Sequence, residues 1–90
     1  MLLKEEDKET IIGIAKRFGV RRIWLFGSAL DGKGEPNDID LAVEGVPKGK
    51  LLRFYAELEK ALPQSIDLVP MDLNPPIAVI VRKKGRVIYG

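Results

Sequence analysis

Ile11, Ile14, Ala15 and Phe18 recur at helical spacing, with acids before them and Lys16-Arg17 beside the last of them. That pattern predicts a helix over Lys4 to Phe18; the charge order suits its dipole, and Gly19 is a natural stop. A second stripe, Leu51, Tyr55, Leu58 and Leu62, predicts an amphipathic helix from Lys50 to Leu62, followed closely by Pro63. The stripe reads as core, with an interface as the alternative. Short runs rich in β-formers lie between and after: Arg22 to Phe26, Asp38 to Val43, Ser65 to Val69 and Arg86 to Tyr89. Asn74-Pro75 is a cap followed by a proline at the first helical position, predicting a last short helix through Lys84 that ends at Gly85. Glycines and a proline between Asp31 and Asn37 mark a loop. The predicted order is α-β-β-α-β-α-β, an α/β (α+β mixed) class with helices packed on a small mixed sheet.

Totals narrow the picture. Ninety residues suit a single domain spanning 1–90 with one core. Hydrophobic residues at 46% and charged residues at 31% are proportions of a globular chain rather than a disordered one. Fifteen basic residues leave a net charge of only +2, so charge alone gives no strong nucleic-acid signal. There is no cysteine and no histidine, which excludes disulfides, zinc-finger sites and histidine-based acid–base chemistry within this chain. A metal would have to be held by oxygen ligands, favouring Mg²⁺ or Mn²⁺. The apolar runs are too short for a membrane span or signal peptide, so a cytoplasmic location is expected.

Candidate chemistry concentrates between Phe26 and Leu41. In Asp38-Ile39-Asp40-Leu41 the acids alternate with large aliphatics, so a strand would put both carboxylates on one face, roughly 6 to 7 Å apart. They read either as solvent-facing residues of a half-exposed strand or as ligands of a cation that relieves their repulsion. Aspartate is disfavoured in strands, and local conflicts of this kind mark functional sites. Asp67, between Ile66 and Leu68, repeats the pattern on another strand, as a surface acid of an edge or as a third carboxylate meeting the first two. Three such acids would suit a two-metal site. Gly27-Ser28 ends the first strand, either as a simple turn or as a cradle whose backbone N–H groups accept a phosphate.

Two other motifs fail. Gly27 to Lys33 fits the G-x-x-x-x-G-K of a phosphate-binding loop, but Gly34 stands where a metal-binding Ser or Thr is needed, and Glu35-Pro36-Asn37 cannot open the required helix. A calcium loop started at Asp31 meets Pro36 where glycine is needed.

Taken together, Leu25-Phe26-Gly27-Ser28, Asn37-Asp38-Ile39-Asp40-Leu41 and Ile66-Asp67-Leu68-Val69 resemble the minimal nucleotidyltransferases of the DNA polymerase beta superfamily. The similarity extends to the ending Lys84-Gly85-Arg86-Val87-Ile88-Tyr89. It implies a palm-like sheet and transfer of a nucleoside monophosphate from an NTP, ATP by preference, with release of pyrophosphate. In that resemblance Gly27, Ser28 and Lys33 hold the nucleotide. Asp38 and Asp40 bind two Mg²⁺ ions, with Mn²⁺ as a substitute, and Asp67 completes the acceptor-side ion; all three acids are the catalytic residues. Where many relatives carry serine before the D-x-D this chain has Asn37, and where many carry arginines after G-S it has Ala29-Leu30-Asp31.

Relatives of this kind are paired with a HEPN-domain protein, the nucleotidyltransferase acting as antitoxin by adenylylating a protein hydroxyl of its toxin. The resemblance therefore implies a HEPN-type partner, with a homodimer contact as a further expectation. Two alternatives stand beside it: a catalytically weak fold-mate that neutralises its partner by binding, and an enzyme modifying a small molecule such as an antibiotic. The basic run Arg82-Lys83-Lys84-Arg86 reads most simply as a solvated helix end complementing the dipole.

Overall fold

Alternation along each strand decides how the chain layers. In the computed structural model, residues 3–27 and 38–90 are described. The elements are α1 (Glu5–Phe18), β1 (Arg22–Phe26), β2 (Asp38–Glu44), α2 (Leu51–Ala61), β3 (Ser65–Pro70), a 3-10 turn (Met71–Leu73), α3 (Ala78–Lys84) and β4 (Arg86–Tyr89). The strands form one mixed sheet in the order β3-β2-β1-β4. β1 pairs antiparallel with both β2 and β4, whereas β2 and β3 run parallel. A parallel pair needs a crossover, and α2 supplies it.

One face of the sheet carries Ile23, Leu25, Ile39, Leu41, Val43, Ile66 and Ile88, which join Ile11, Ile14 and Ala15 of α1 and Phe54 and Leu58 of α2 in the main core. Phe18 meets Phe54 edge-on at 5.5 Å between ring centroids, so the two helices interlock over the sheet. The opposite face holds a smaller cluster, Trp24 and Ala42 against Met71, Ala78 and Val81, with Phe26 and Val69 half-buried beside it. Among the described residues no helix is long and apolar enough to cross a membrane.

Three local features refine the sequence reading. Gly19 ends α1 in the left-handed conformation, at φ 73°, and its N–H donates to the carbonyls of Ala15 and Lys16. The buried face of α2 centres on Phe54 and Leu58, with Leu51 and Tyr55 only half-buried, so the stripe is rotated from the one expected. Asn74-Pro75 does not open the last helix. Asn74 instead closes the 3-10 turn at φ 50°, donating its N–H to the Met71 carbonyl at 2.9 Å. Two consecutive prolines then disfavour helical geometry in the residues before them, and α3 begins only at Ala78.

Candidate active site

β2 enters the sheet with Asp38 and Asp40 on the same side as Ala42, the side that α3 covers, while Ile39 and Leu41 are sealed into the main core. The aliphatics fix the register: a slip by one residue would bury both carboxylates and expose the core. β3 lies alongside in parallel register, with Asp67 paired to Asp40 and Ser65 to Asp38. Partners in a ladder point to the same face, so Asp67 and Asp40 sit side by side on strands about 4.8 Å apart.

The outer edge of β3 is adapted to this position. The Ile66 N–H donates to Glu59 Oε2 of α2 at 2.9 Å rather than to β2, so this N–H faces outward. By alternation the nitrogens of Leu68 and Pro70 face the same way, and Pro70 therefore costs the sheet no ladder bond. An edge with one N–H capped and another absent is poorly suited to pairing with a stray strand.

β1 reaches the site from the other side, with Phe26 paired to Asp40. Gly27 follows at φ 76°, and a Cβ there would collide with the Asp40 carboxylate. The turn after β1 is thus pressed against Asp40, and glycine alone fits both the dihedral and the space. Asp40, half-buried, has its pKa raised above the ordinary carboxylate value. Burial contributes most, followed by a hydrogen bond shared with Asp67 and then by the negative charges of Asp67 and Asp38.

Asp40, Asp67 and Gly27 therefore come together at one end of the sheet. Asp38 shares their face, exposed and one strand repeat away, and acts on Asp40 through its charge. Among the described residues no three acids stand close enough to hold an ion as they are placed. The donor set nevertheless suits a hard divalent cation: it consists of carboxylate oxygens, and the Asp40–Asp67 pair crowds two acids together where a cation could balance both charges. Chelation by all three would require the exposed Asp38 side chain to turn toward the pair. Ser28 and Lys33 lie outside the described residues.

A groove between α2 and β3 reaches one of the acids, Asp67. Leu51, Leu52 and Tyr55 of α2 face Ile66, Asp67 and Leu68 of β3 across an open groove of about 310 Å³. Leu52 is 83% exposed there, the most exposed of the large aliphatics among the described residues. The sequence signal for this surface was the stripe containing Leu51 and Tyr55, whose alternative reading was an interface; Leu52 lies outside that stripe.

A short mixed sheet presenting paired aspartates beside a glycine turn defines a nucleotidyltransferase type of architecture. The polymerase beta nucleotidyltransferase family model matches residues 9–90, and the chain belongs to that family. Two of the solved structures that share its fold are described as toxin-antitoxin structures. One, described as a toxin-antitoxin with AMP-PNP, is 24% identical with a TM-score of 0.72, over 92% of this chain and 73% of that one. The other, described as the toxin-antitoxin MntA-HepT, is 21% identical with a TM-score of 0.70, over 97% of this chain and 73% of that one. No curated protein matches the sequence.

Proposed function

We propose that this chain transfers a nucleoside monophosphate, AMP by preference, from an NTP to a protein hydroxyl, with pyrophosphate leaving. The observation that carries the reading is the pairing of Asp40 with Asp67 directly beside Gly27. Asp38, Asp40 and Asp67 would hold two divalent ions, Mg²⁺ by preference and Mn²⁺ as a substitute. Bound there, the ions would neutralise charge developing at the reacting phosphorus and align the attacking and leaving oxygens. The chain's own part is positional. Gly27 brings backbone up to Asp40, Ser28 and Lys33 would bind the phosphates, and the covered apolar half of the face holds β1 and β2 rigid.

The acceptor would approach along the groove that ends at Asp67, whose carboxylate would take part in activating its hydroxyl. A groove of mixed lining with an exposed leucine on it suits a protein segment better than a strongly polar small molecule. One structural neighbour is described as a toxin-antitoxin pair and another as holding AMP-PNP, and we extend both to this chain: a nucleotide-using antitoxin with a HEPN-type toxin as partner. Such a pair would act in the cytoplasm.

A second reading rests on the arrangement of the acids. Were Asp38 unable to join the Asp40–Asp67 pair around an ion, the chain would neutralise its partner by contact alone. Labelled ATP, Mg²⁺ and the product of the neighbouring gene separate the two. Label passing to that protein with the unaltered chain but not with Asp38→Ala supports transfer. Neutralisation that survives Asp38→Ala, with no label transferred, supports contact alone.

A further inference from the structure

α3 ends where the acids lie. Gly85, the residue after it, is held against the end of β1: a Cβ there would come within 3.4 Å of the Leu25 carbonyl, two residues before Gly27. β4 then starts at Arg86, opposite Leu25. The C-terminal end of β1, the N-terminal ends of β2, β3 and β4, and the last turn of α3 thus gather at one end of the sheet. That last turn is Arg82, Lys83 and Lys84, all exposed.

Three basic residues exceed what a helix of seven residues needs to offset its dipole, an effect confined to the last turn and worth about 0.3 to 1 kcal/mol per charge. Among the described residues both ion pairs lie elsewhere, Arg17 with Glu57 and Arg21 with Glu44. The acids on the same end of the sheet carry only negative charge. A triphosphate laid beside Gly27 would add more, and any divalent ions held by the aspartates would offset part of that charge. The outer phosphates, which leave as pyrophosphate, would need cations from the protein. On the described elements at this end, the lysines of α3 are placed to supply them, as long and flexible side chains leaving the helix beside the end of β1.

We propose that the basic end of α3, Lys84 foremost, binds the β- and γ-phosphates of the nucleotide and stabilises the departing pyrophosphate. This rests on the nucleotidyltransferase reading. Arg86 provides an internal comparison. It carries the same charge two residues further on, but its register partner Leu25 belongs to the main-core face, so Arg86 projects from the side of the sheet opposite the acids.

The test is equilibrium binding of ATP and of AMP, each with Mg²⁺, to the whole chain and to Lys84→Ala and Arg86→Ala. Lys84 is exposed, so its loss should cost at most the dipole contribution of one charge and leave the chain folded, which thermal unfolding checks. A lost charge-assisted contact predicts ATP binding weakened about tenfold in Lys84→Ala, roughly 1.4 kcal/mol, with AMP binding and the Arg86→Ala variant changed less than about twofold. ATP affinity equal to the unaltered chain, or equal losses for ATP and AMP, overturns the assignment of Lys84 alone. Equal losses from Lys84→Ala and Arg86→Ala would show a general field rather than a contact, and also overturn it. Failure of the unaltered chain to bind ATP at all would overturn the nucleotidyltransferase reading and this inference with it.

Discussion

The two faces of the sheet follow opposite rules. On the α1 and α2 side every buried strand position is apolar, Arg86 at the exposed start of β4 being the charged exception, and Ile23, Leu25, Leu41, Val43, Phe54 and Leu58 are fully sealed. On the other side α3 covers only half the surface. It packs Trp24, Ala42, Met71, Ala78 and Val81 together and leaves Asp38, Asp40 and Asp67 uncovered on adjacent strands. The first face is consistent at every level, from alternation to burial. The second contains a local conflict: like charges set side by side in a ladder, one of them with its protonation shifted. A fold of this size tolerates that conflict because the first face supplies most of the burial. Stability and chemistry are thus divided between the two sides, so substitutions on each should have different signatures.

The largest effect on folding should come from the sealed side. Phe54→Ala removes the largest fully buried side chain and its contact with Phe18, and should cost about 3 to 5 kcal/mol. Denaturant unfolding reads it directly. A loss below about 1 kcal/mol would mean that the division between the faces is wrong.

Gly27→Ala comes next and should act on both properties. A non-glycine residue at φ 76° costs about 1 to 3 kcal/mol, and the new methyl would push the Asp40 carboxylate out of its place. Nucleotide binding with Mg²⁺ should then fall by more than about tenfold, beyond what the modest destabilisation explains. Titration calorimetry on the folded variant separates the two effects; normal binding would show that the turn does not position Asp40. Smaller still, Leu52→Asp should leave unfolding within about 0.5 kcal/mol of the unaltered chain, because the residue is 83% exposed. It should weaken capture of the acceptor protein without changing ATP affinity, and an unchanged acceptor interaction would remove the groove from the site.

These contrasts also show what sequence alone could convey. Asp38 and Asp40 fall on one face through local geometry, since alternation with Ile39 and Leu41 needs no knowledge of neighbours. The helices were readable for the same reason, as was the stop at Gly19. Asp67's position was different in kind. That β3 lies beside β2, and that its register matches Asp67 to Asp40 rather than to Asp38, is settled by how α2 returns the chain, a tertiary matter. Gly27 and Asp40 fall in one stretch of sequence, but their contact depends on β1 pairing with β2 in a register that sets Phe26 opposite Asp40, which spacing alone does not fix. Phe54 escaped the predicted stripe because Leu51 and Tyr55 matched the same periodicity, and only packing chose between the two sets. The start of α3 was misplaced because a proline after asparagine suits a helix entrance and a turn equally well, and the second proline favoured the turn.

The smallest effect is the most informative about the second face, because its sign opposes that of Phe54→Ala. Asp40→Asn should abolish transfer while making the metal-free protein slightly more stable at neutral pH. Below the unfolded-state pKa, Asp40 is protonated both folded and unfolded, and it contributes no difference. As pH rises, the unfolded chain releases its proton first, because burial and the hydrogen bond to Asp67 raise the folded-state value. Through that interval the folded state holds more protons, so stability falls with increasing pH, and the loss persists above the folded pKa. Asparagine does not titrate. The melting-temperature advantage of Asp40→Asn over the unaltered chain should therefore grow from about pH 3 toward neutrality and then level off. Mg²⁺ at neutral pH should raise the melting temperature of the unaltered chain and leave that of Asp40→Asn nearly unchanged, because binding to the folded state alone stabilises it. Scanning both proteins over that pH range, with and without Mg²⁺, decides the matter. An advantage that stays constant with pH would mean that Asp40 is not strained by its neighbours, and the contrast between a settled face and a conflicted one would lose its physical basis.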